Sequence, residues 1–474
     1  MNLDSVRIQR EVLKRIVPKD KERKRAQELS ETIIQEVTSA ARKSSLKAEV
    51  SLEGSVAKDT WLSCEADIDI FLRVDSSLDR KVLETTCLAV AKDAIKGHKT
   101  RIIERFAEHP YVETFIEGSR VNIVPCYNVK KGMWKSATDR TPYHTKYMKE
   151  HLDAGLKNEV RLLKKLMKAN GTYGAEIRVG GFSGMLCETL TLHYGTMERT
   201  LQAAAKWKDR TVIDVEDFFG GDLEEVYDLF DQPLIVIDPV DENRNVAAAV
   251  RHDRLWEFVS VARLFLCRPD LRFFYPQKVE GIKSKEFSRV LSRRATSLIG
   301  LQFGKVEAPV DVLWSQIFKT ERSIANLLRG RGFSIIRSSS FSNENDFNLI
   351  MFELESRFLP KTMKHSGPPV EKMMESDRFV STHLRSRDTL SGPWVEKDRW
   401  VTAKTRKYTD SIQLLKESLA DGGRNIGVSG LIADRIKKEK CKLLVNRQLE
   451  KFLEIRGFPQ FIGSYLKGRN HSLR

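Results

Sequence analysis

A chain of 474 residues, 41% hydrophobic and 31% charged, has the length for roughly two to four separately cored domains and is too apolar for a disordered tail. Its 81 Lys and Arg against 65 Asp and Glu give a formal charge of +16, and most of that excess falls between Lys361 and Arg474. The balance suits a polyanionic partner, nucleic acid or an acidic membrane, while six scattered cysteines with no CxxC pair argue against a zinc site or a disulfide framework and fit a reducing cytosol.

The opening stretch "MNLDSVRIQREVLKRIV" lacks the continuous apolar run of a secretory leader. No segment approaches the about 18 apolar residues of a membrane span, so a cytoplasmic protein is expected. After Pro18, Ala26, Leu29, Ile33, Val37 and Ala41 recur at helical spacing beneath a charged face. "KAEVSLEGS" alternates as a strand and stops at Gly54-Ser55. "DIDIFLRV" alternates again, with Ile68, Ile70 and Leu72 opposite Asp67, Asp69 and Phe71. "YVETFIEGSRVNIVPCY" predicts two strands joined at Gly118-Ser119. From Asn158 the pattern becomes helical: "NEVRLLKKLMKANGTYG" is amphipathic and ends at Gly171, and "FSGMLCETLTLHYG" and "TMERTLQAAAKWKD" predict further helices. "PLIVIDPVDENRNVAAAV" reads as a short apolar strand, a Pro-Val-Asp turn and another helix. Beyond Gln277, strand-like runs ("FSIIRSSSF", "FNLIMFELES", "RWVTAKT") mix with basic helices. No internal repeat is present. The class is α/β and α+β, multidomain.

Asp67 and Asp69 stand two apart on one strand, so their side chains share a face. Paired carboxylates of this kind can bracket two Mg²⁺ ions about 3.5–4 Å apart, the arrangement that lowers the charge barrier to phosphoryl transfer. Gly54-Ser55 just before them offers a backbone that phosphate oxygens can approach, and Lys58 offers positive charge. Alone, an Asp-x-Asp pair also occurs on ordinary solvated strands. Gly-Ser, eleven residues, then Asp-Ile-Asp followed by an apolar run is sharper, and resembles the signature of the polymerase-β-like nucleotidyltransferases.

Further blocks narrow the resemblance. "HPYVETFIEGSRVNIVPCY", "TDRTPYHTKYM", "NEVRLLKKLMKANGTYGAEIRVGGFSGMLCETL", "RTVIDV" and "DPVDENRNVAAAV", with "HSGPPVEKM" and "GPWVEKDRWV" later, resemble the archaeal class I CCA-adding tRNA nucleotidyltransferases over nearly the whole chain. The resemblance implies template-independent addition and repair of the 3′-terminal CCA of tRNA from CTP and ATP. It divides the chain into a polymerase-β-like catalytic domain at 1–145, a mostly helical nucleotide- and tRNA-binding domain at 146–276, and a C-terminal tRNA-binding body and tail at 277–474 with an RRM-like fold. It makes Asp67 and Asp69 metal ligands of a two-ion Mg²⁺ site. Ser55, Lys58, His144, Lys164, Tyr173 and Arg244 become nucleotide contacts, and the acceptor stem and TΨC arm of tRNA become the RNA surface recognised, with no membrane partner and a homodimer left open. Taken singly, His144 also reads as a loop histidine, Lys164 as a solvated lysine and Tyr173 as the cap of a core.

One residue departs from the family pattern. The strand before "VPCY" carries Asn122 where the resemblance implies a third metal-binding, catalytic aspartate. An amide oxygen can ligate a hard cation, yet it brings no charge and cannot act as a base. Glu113 and Glu117 are the neighbouring carboxylates that could compensate. Two alternatives stay open: a catalytically weak or silent RNA-binding member of the family, and a poly(A)-polymerase-like enzyme.

Overall fold

The computed structural model describes residues 3–106, 108–439 and 441–468. They form two units, one ending at Lys278 and the other running from Val279 to Gly468. Among the described residues no helix is long and apolar enough to cross a membrane.

The first unit begins with helices Leu3–Ile16 and Asp20–Lys43. Then comes a five-stranded sheet of β1 (Ala48–Glu53), β2 (Asp67–Asp75), β3 (Ile103–Phe106), β4 (Pro110–Ile116) and β5 (Ser119–Asn128) in the order β1-β2-β5-β4-β3. Only the central β2/β5 pair is parallel. Alternation decides which face does what. Ile68, Ile70 and Leu72 of β2, with Val121 and Ile123 of β5, are buried against Leu29, Ile33 and Val37 of helix Asp20–Lys43, as the apolar stripe of that helix predicts. The opposite face carries Asp67, Asp69 and Asn122 above a small apolar floor of Phe71, Val124 and Cys126.

A second core in this unit gathers Leu162, Leu163 and Leu166 of helix Ala154–Ala169, Leu186 and Leu190 of helix Gly184–Tyr194, Met197 and Leu201 of helix Met197–Ala204, and Phe258 of helix His252–Cys267. Helix Leu3–Ile16 contributes Val12 and Ile16 to the same core. A small sheet of β6 (Thr211–Ile213), β7 (Leu234–Asp238) and β8 (Asp241–Asn245) completes the unit. The helix expected directly after the Pro-Val-Asp turn is absent: the chain folds back as β8, and the next helix starts only at His252. The side chain of Asn245 fixes this hairpin. Its Oδ1 accepts from the N–H groups of Val236 (2.9 Å) and Ala247 (2.8 Å), and its Nδ2 donates to the Leu234 carbonyl at 2.9 Å.

The second unit holds an antiparallel sheet of β9 (Ser297–Phe303), β10 (Ile335–Ser342), β11 (Asn348–Leu354) and β15 (Lys442–Val445) in the order β10-β11-β9-β15. Helix Val310–Gly330 packs Trp314, Ile317 and Leu328 on one face. The other face lies under Phe287 of helix Ser284–Arg294 and Phe458 and Ile462 of helix Phe458–Lys467. Between β11 and β15 in sequence, β12 (Thr362–Pro369), β13 (Thr389–Glu396) and β14 (Arg399–Thr405) form a separate antiparallel sheet with helix Met373–Arg385 against it.

Candidate active site

The polar face of the first sheet is organised by strand register. Glu53, Asp69, Asn122 and Glu113 pair in one row across β1, β2, β5 and β4, and Asp67 pairs with Arg120 in the next. Directly paired residues project to the same side, so two acids on β2 meet an arginine and an amide on β5. Arg120 Nε donates to Asp67 Oδ1 at 3.0 Å, and Nη2 donates to Oδ2 to complete a bidentate pair. Asn122 Nδ2 donates to Asp69 Oδ1 at 2.9 Å. Gly54 closes over this pair: it has φ +71°, and a Cβ there would sit 2.1 Å from Asp69 Oδ2. Desolvation raises the Asp69 carboxyl to about 6, against the opposing hydrogen bond from Asn122.

The outer acids of the row are engaged elsewhere. Glu53 accepts from Ser51 at 2.7 Å. Buried Glu113 accepts from Arg105 Nε and Nη2 at 3.0 and 2.8 Å. Glu117 sits in the hairpin turn, exposed and paired with Arg25 at 3.2 Å, and takes no part in the site.

A second cluster forms around Glu188, the one carboxylate of helix Gly184–Tyr194. Lys58 Nζ and Thr60 Oγ1 each reach it at 2.5 Å and Lys164 Nζ at 2.9 Å, all of them buried. Burial alone would raise the Glu188 carboxyl, but the Lys164 and Lys58 ammoniums hold it down at about 2. Burial works against the Lys164 ammonium and lowers its pKa. Tyr173 stands beside this group: a Cβ on Gly184 would lie 3.1 Å from its hydroxyl and 3.6 Å from Lys164 Nζ. Burial pushes the Tyr173 phenol well up. The loop leading to β2 is clamped from helix Ala154–Ala169, which also carries Lys164, as Arg161 donates to the Trp61 carbonyl (2.9 Å) and to the Asp59 carbonyl and Oδ1 (2.5 and 2.6 Å).

The third cluster centres on Asp238 at the end of β7. His144 Nε2 lies 2.9 and 2.8 Å from its two carboxylate oxygens, and Arg244 Nη1 donates to Oδ2 at 2.6 Å. His144 belongs to helix Thr141–His151 and is buried. Burial lowers its pKa despite the Asp238 hydrogen bond. Lys58 links the three groups, because its charge is felt at both Asp69 and His144. Asp67 and Glu188 are both felt at Tyr173.

Every residue expected to bind nucleotide or metal therefore lies in the first unit. Asp67, Asp69 and Asn122 share one sheet face, Ser55 stands half-buried next to Gly54, Lys58 and Lys164 meet at Glu188, and His144 and Arg244 meet at Asp238. Arg120, Glu188, Asp238 and Arg161 escaped the sequence reading. For Glu188 and Asp238 there was a signal, a lone acid within an apolar run, which implies a buried cation nearby.

A cation could be held between Asp67 and Asp69, and Asn122 Oδ1 is a buried acceptor with no hydrogen-bond partner among the described residues. That donor set fits one ion. Among the described residues no group of three or more His, Cys, Asp or Glu side chains is arranged to hold a metal.

Three family models match the chain in sequence: the nucleotidyltransferase domain at residues 33–144, the second domain of tRNA nucleotidyltransferases at 158–275, and the C-terminal domain of CCA-adding enzymes at 294–445. The CCA-adding enzyme of Methanothermobacter thermautotrophicus is 36% identical over 88% of this chain and 90% of its own. Those of Methanosarcina barkeri and Archaeoglobus fulgidus are 35% and 33% identical over 86% and 88% of this chain, covering 88% and 91% of theirs. A solved structure of the Cid1 RNA terminal uridylyl transferase covers 56% of this chain and 97% of its own, with TM-score 0.46 at 16% identity, too distant for its activity to bear on this one. With relatives of this similarity along most of its length, the chain belongs to the archaeal CCA-adding enzyme family of tRNA nucleotidyltransferases.

Proposed function

We propose that this protein adds and repairs the 3′-terminal CCA of tRNA, taking CMP and AMP units from CTP and ATP and releasing pyrophosphate. The observation that carries the reading is family membership across all three matched regions, 33–144, 158–275 and 294–445. The site chemistry agrees with it: two buried lysines meet at Glu188, and the Lys58 charge is felt at Asp69 beside the Gly54 turn, a setting in which a polyphosphate is neutralised and oriented.

In this reading Ser55, Lys58 and Lys164 take the triphosphate, with Tyr173 along its side. Glu188 holds both lysine side chains in position before the nucleotide arrives. Asp238 holds His144 and Arg244 so that their remaining N–H groups meet the base or the sugar. A divalent ion bound with the triphosphate, held by Asp67 and Asp69, would lower the charge that the attacking 3′ hydroxyl must approach. Division of the chain at about 145 and 276 into catalytic, central and C-terminal domains belongs to the proposal. So does an RRM-like body, for which the strand order β10-β11-β9-β15 with helix Val310–Gly330 between β9 and β10 speaks. The tRNA is taken by its acceptor stem and TΨC arm, largely through phosphate contacts to the basic C-terminal region, in the cytoplasm.

The test is incorporation of labelled CTP and ATP into a tRNA lacking its whole CCA end, with Mg²⁺ and with a chelator. Two C and one A followed by a stop supports CCA addition. An open-ended A tract would instead mark a poly(A)-polymerase-like enzyme, and a tRNA bound but never extended would mark a silent member.

A further inference from the structure

The two acids of β2 do not stand open to solvent cations. Each is already met by the residue that strand register sets opposite it: Asp67 by the Arg120 guanidinium through two N–H groups, and Asp69 by the Asn122 amide. Resting on the nucleotidyl-transfer reading above, we infer that Arg120 and Asn122 together turn a two-ion cleft into a one-ion cleft, so that this chain binds tRNA and nucleotide normally and transfers the nucleotidyl group slowly.

Charge and geometry carry the inference. Two divalent ions bring four positive charges into a space about 4 Å across and require several anionic oxygens to hold them there. The four-residue row across the sheet has the right length for such a site, but its members are committed. Glu53 is turned to Ser51, Glu113 is held by Arg105 through two bonds with Arg120 a further 3.9 Å away, and Asn122 is neutral. Arg120 brings a positive charge beside Asp67, where a second cation would have to sit, and is held there by two N–H groups on the Asp67 carboxylate. The lone pairs of Asp67 facing away from Arg120, Asp69 Oδ2 and the unpartnered Asn122 Oδ1 leave oxygen donors for one ion, the one that travels with a triphosphate. Among the described residues of this cluster, every carboxylate already has a hydrogen-bond partner, and none is left unengaged for an ion on the 3′ hydroxyl.

Arg120 makes this more than a missing acid. Restoring a carboxylate at 122 would still leave Asp67 claimed by a guanidinium, so Asn122→Asp alone should recover only part of the activity. Asn122→Asp together with Arg120→Ser should recover more than the two single changes would suggest, because they act on one cluster.

The experiment counts Mn²⁺ bound to the full chain by electron paramagnetic resonance, with CTP and a tRNA lacking its CCA end, alongside CMP incorporation and separate Kd values for tRNA and CTP. The wild type should bind one Mn²⁺ per chain, and the Arg120→Ser/Asn122→Asp variant two. The double variant should incorporate CMP at least about a hundredfold faster, equal to about 2.7 kcal/mol at 1.36 kcal/mol per tenfold, with both Kd values within about threefold of wild type. Two Mn²⁺ on the wild type overturns the inference, however well the variants fold. So does a well-folded double variant that is no faster. If the wild type binds no tRNA at all, the proposed function itself falls, which is a different result.

Discussion

Lys58 and Lys164 are buried ammoniums whose charge is tolerated only because Glu188 sits between them. Replacing it, as in Glu188→Gln, leaves two unpaired charges in the interior and should cost about 3–5 kcal/mol, measured by urea unfolding. The pH dependence has a definite sign. Glu188 titrates at about 2 in the folded chain against an ordinary 4.5, so its stabilisation is complete above about pH 4.5 and is lost as pH falls toward 2. A pH series of unfolding midpoints should slope downward through that window in the wild type, with the Glu188 contribution absent in Glu188→Gln. Gly54→Ala is a second single-residue test. A left-handed backbone costs about 1–2 kcal/mol for a residue with a Cβ, and here the added atom also meets Asp69 Oδ2. The expected outcome is a lowered Tm together with loss of CMP incorporation, whereas wild-type values for both would contradict the packing described. At this scale the sequence was readable where chemistry repeats at short range. Asp67 and Asp69 share a face because strands have a period of two. The Lys58–Glu188 contact joins positions 130 apart, and no local pattern encodes it.

Elements were readable in proportion to how regularly they bury. Helix Asp20–Lys43, β2, the β4–β5 hairpin and helix Ala154–Ala169 each announce their apolar face in the spacing of Ile, Leu and Val. β8 does not, because "DENRN" has no apolar alternation; one buried amide, Asn245, holds it to β7. Asn245→Ala should therefore cost roughly 1–3 kcal/mol for each backbone group left unpaired, and should loosen the end of β7 that presents Asp238. The expected result is weaker CTP binding at unchanged tRNA affinity, read by calorimetry. Helix Leu3–Ile16 was passed over for the same kind of reason, since only Val12 and Ile16 of its large apolar side chains are fully buried. Ile16→Ala should nonetheless cost about 2–5 kcal/mol, because Ile16 sits in the shared core of the first unit. An unchanged denaturation midpoint would mean that this helix is not docked in solution.

For the whole molecule, charge is the governing quantity. On the reading proposed above, a protein of formal charge +16 gripping tRNA through phosphates should lose affinity steeply with salt. With six or more contacts, Kd should rise roughly a thousandfold between 50 and 200 mM, as filter binding can measure. A flat dependence would mean recognition without phosphate neutralisation. Both faces of the β10-β11-β9-β15 sheet are roofed by helices, one by Val310–Gly330 and the other by Ser284–Arg294 and Phe458–Lys467. That sheet offers no open table on which nucleobases could be laid flat, so on the same reading a tRNA meeting it would be held by its sugar-phosphate contour from rims and loops. That manner of grip is blind to base identity, and so suits a substrate pool whose members differ in sequence and agree in outline.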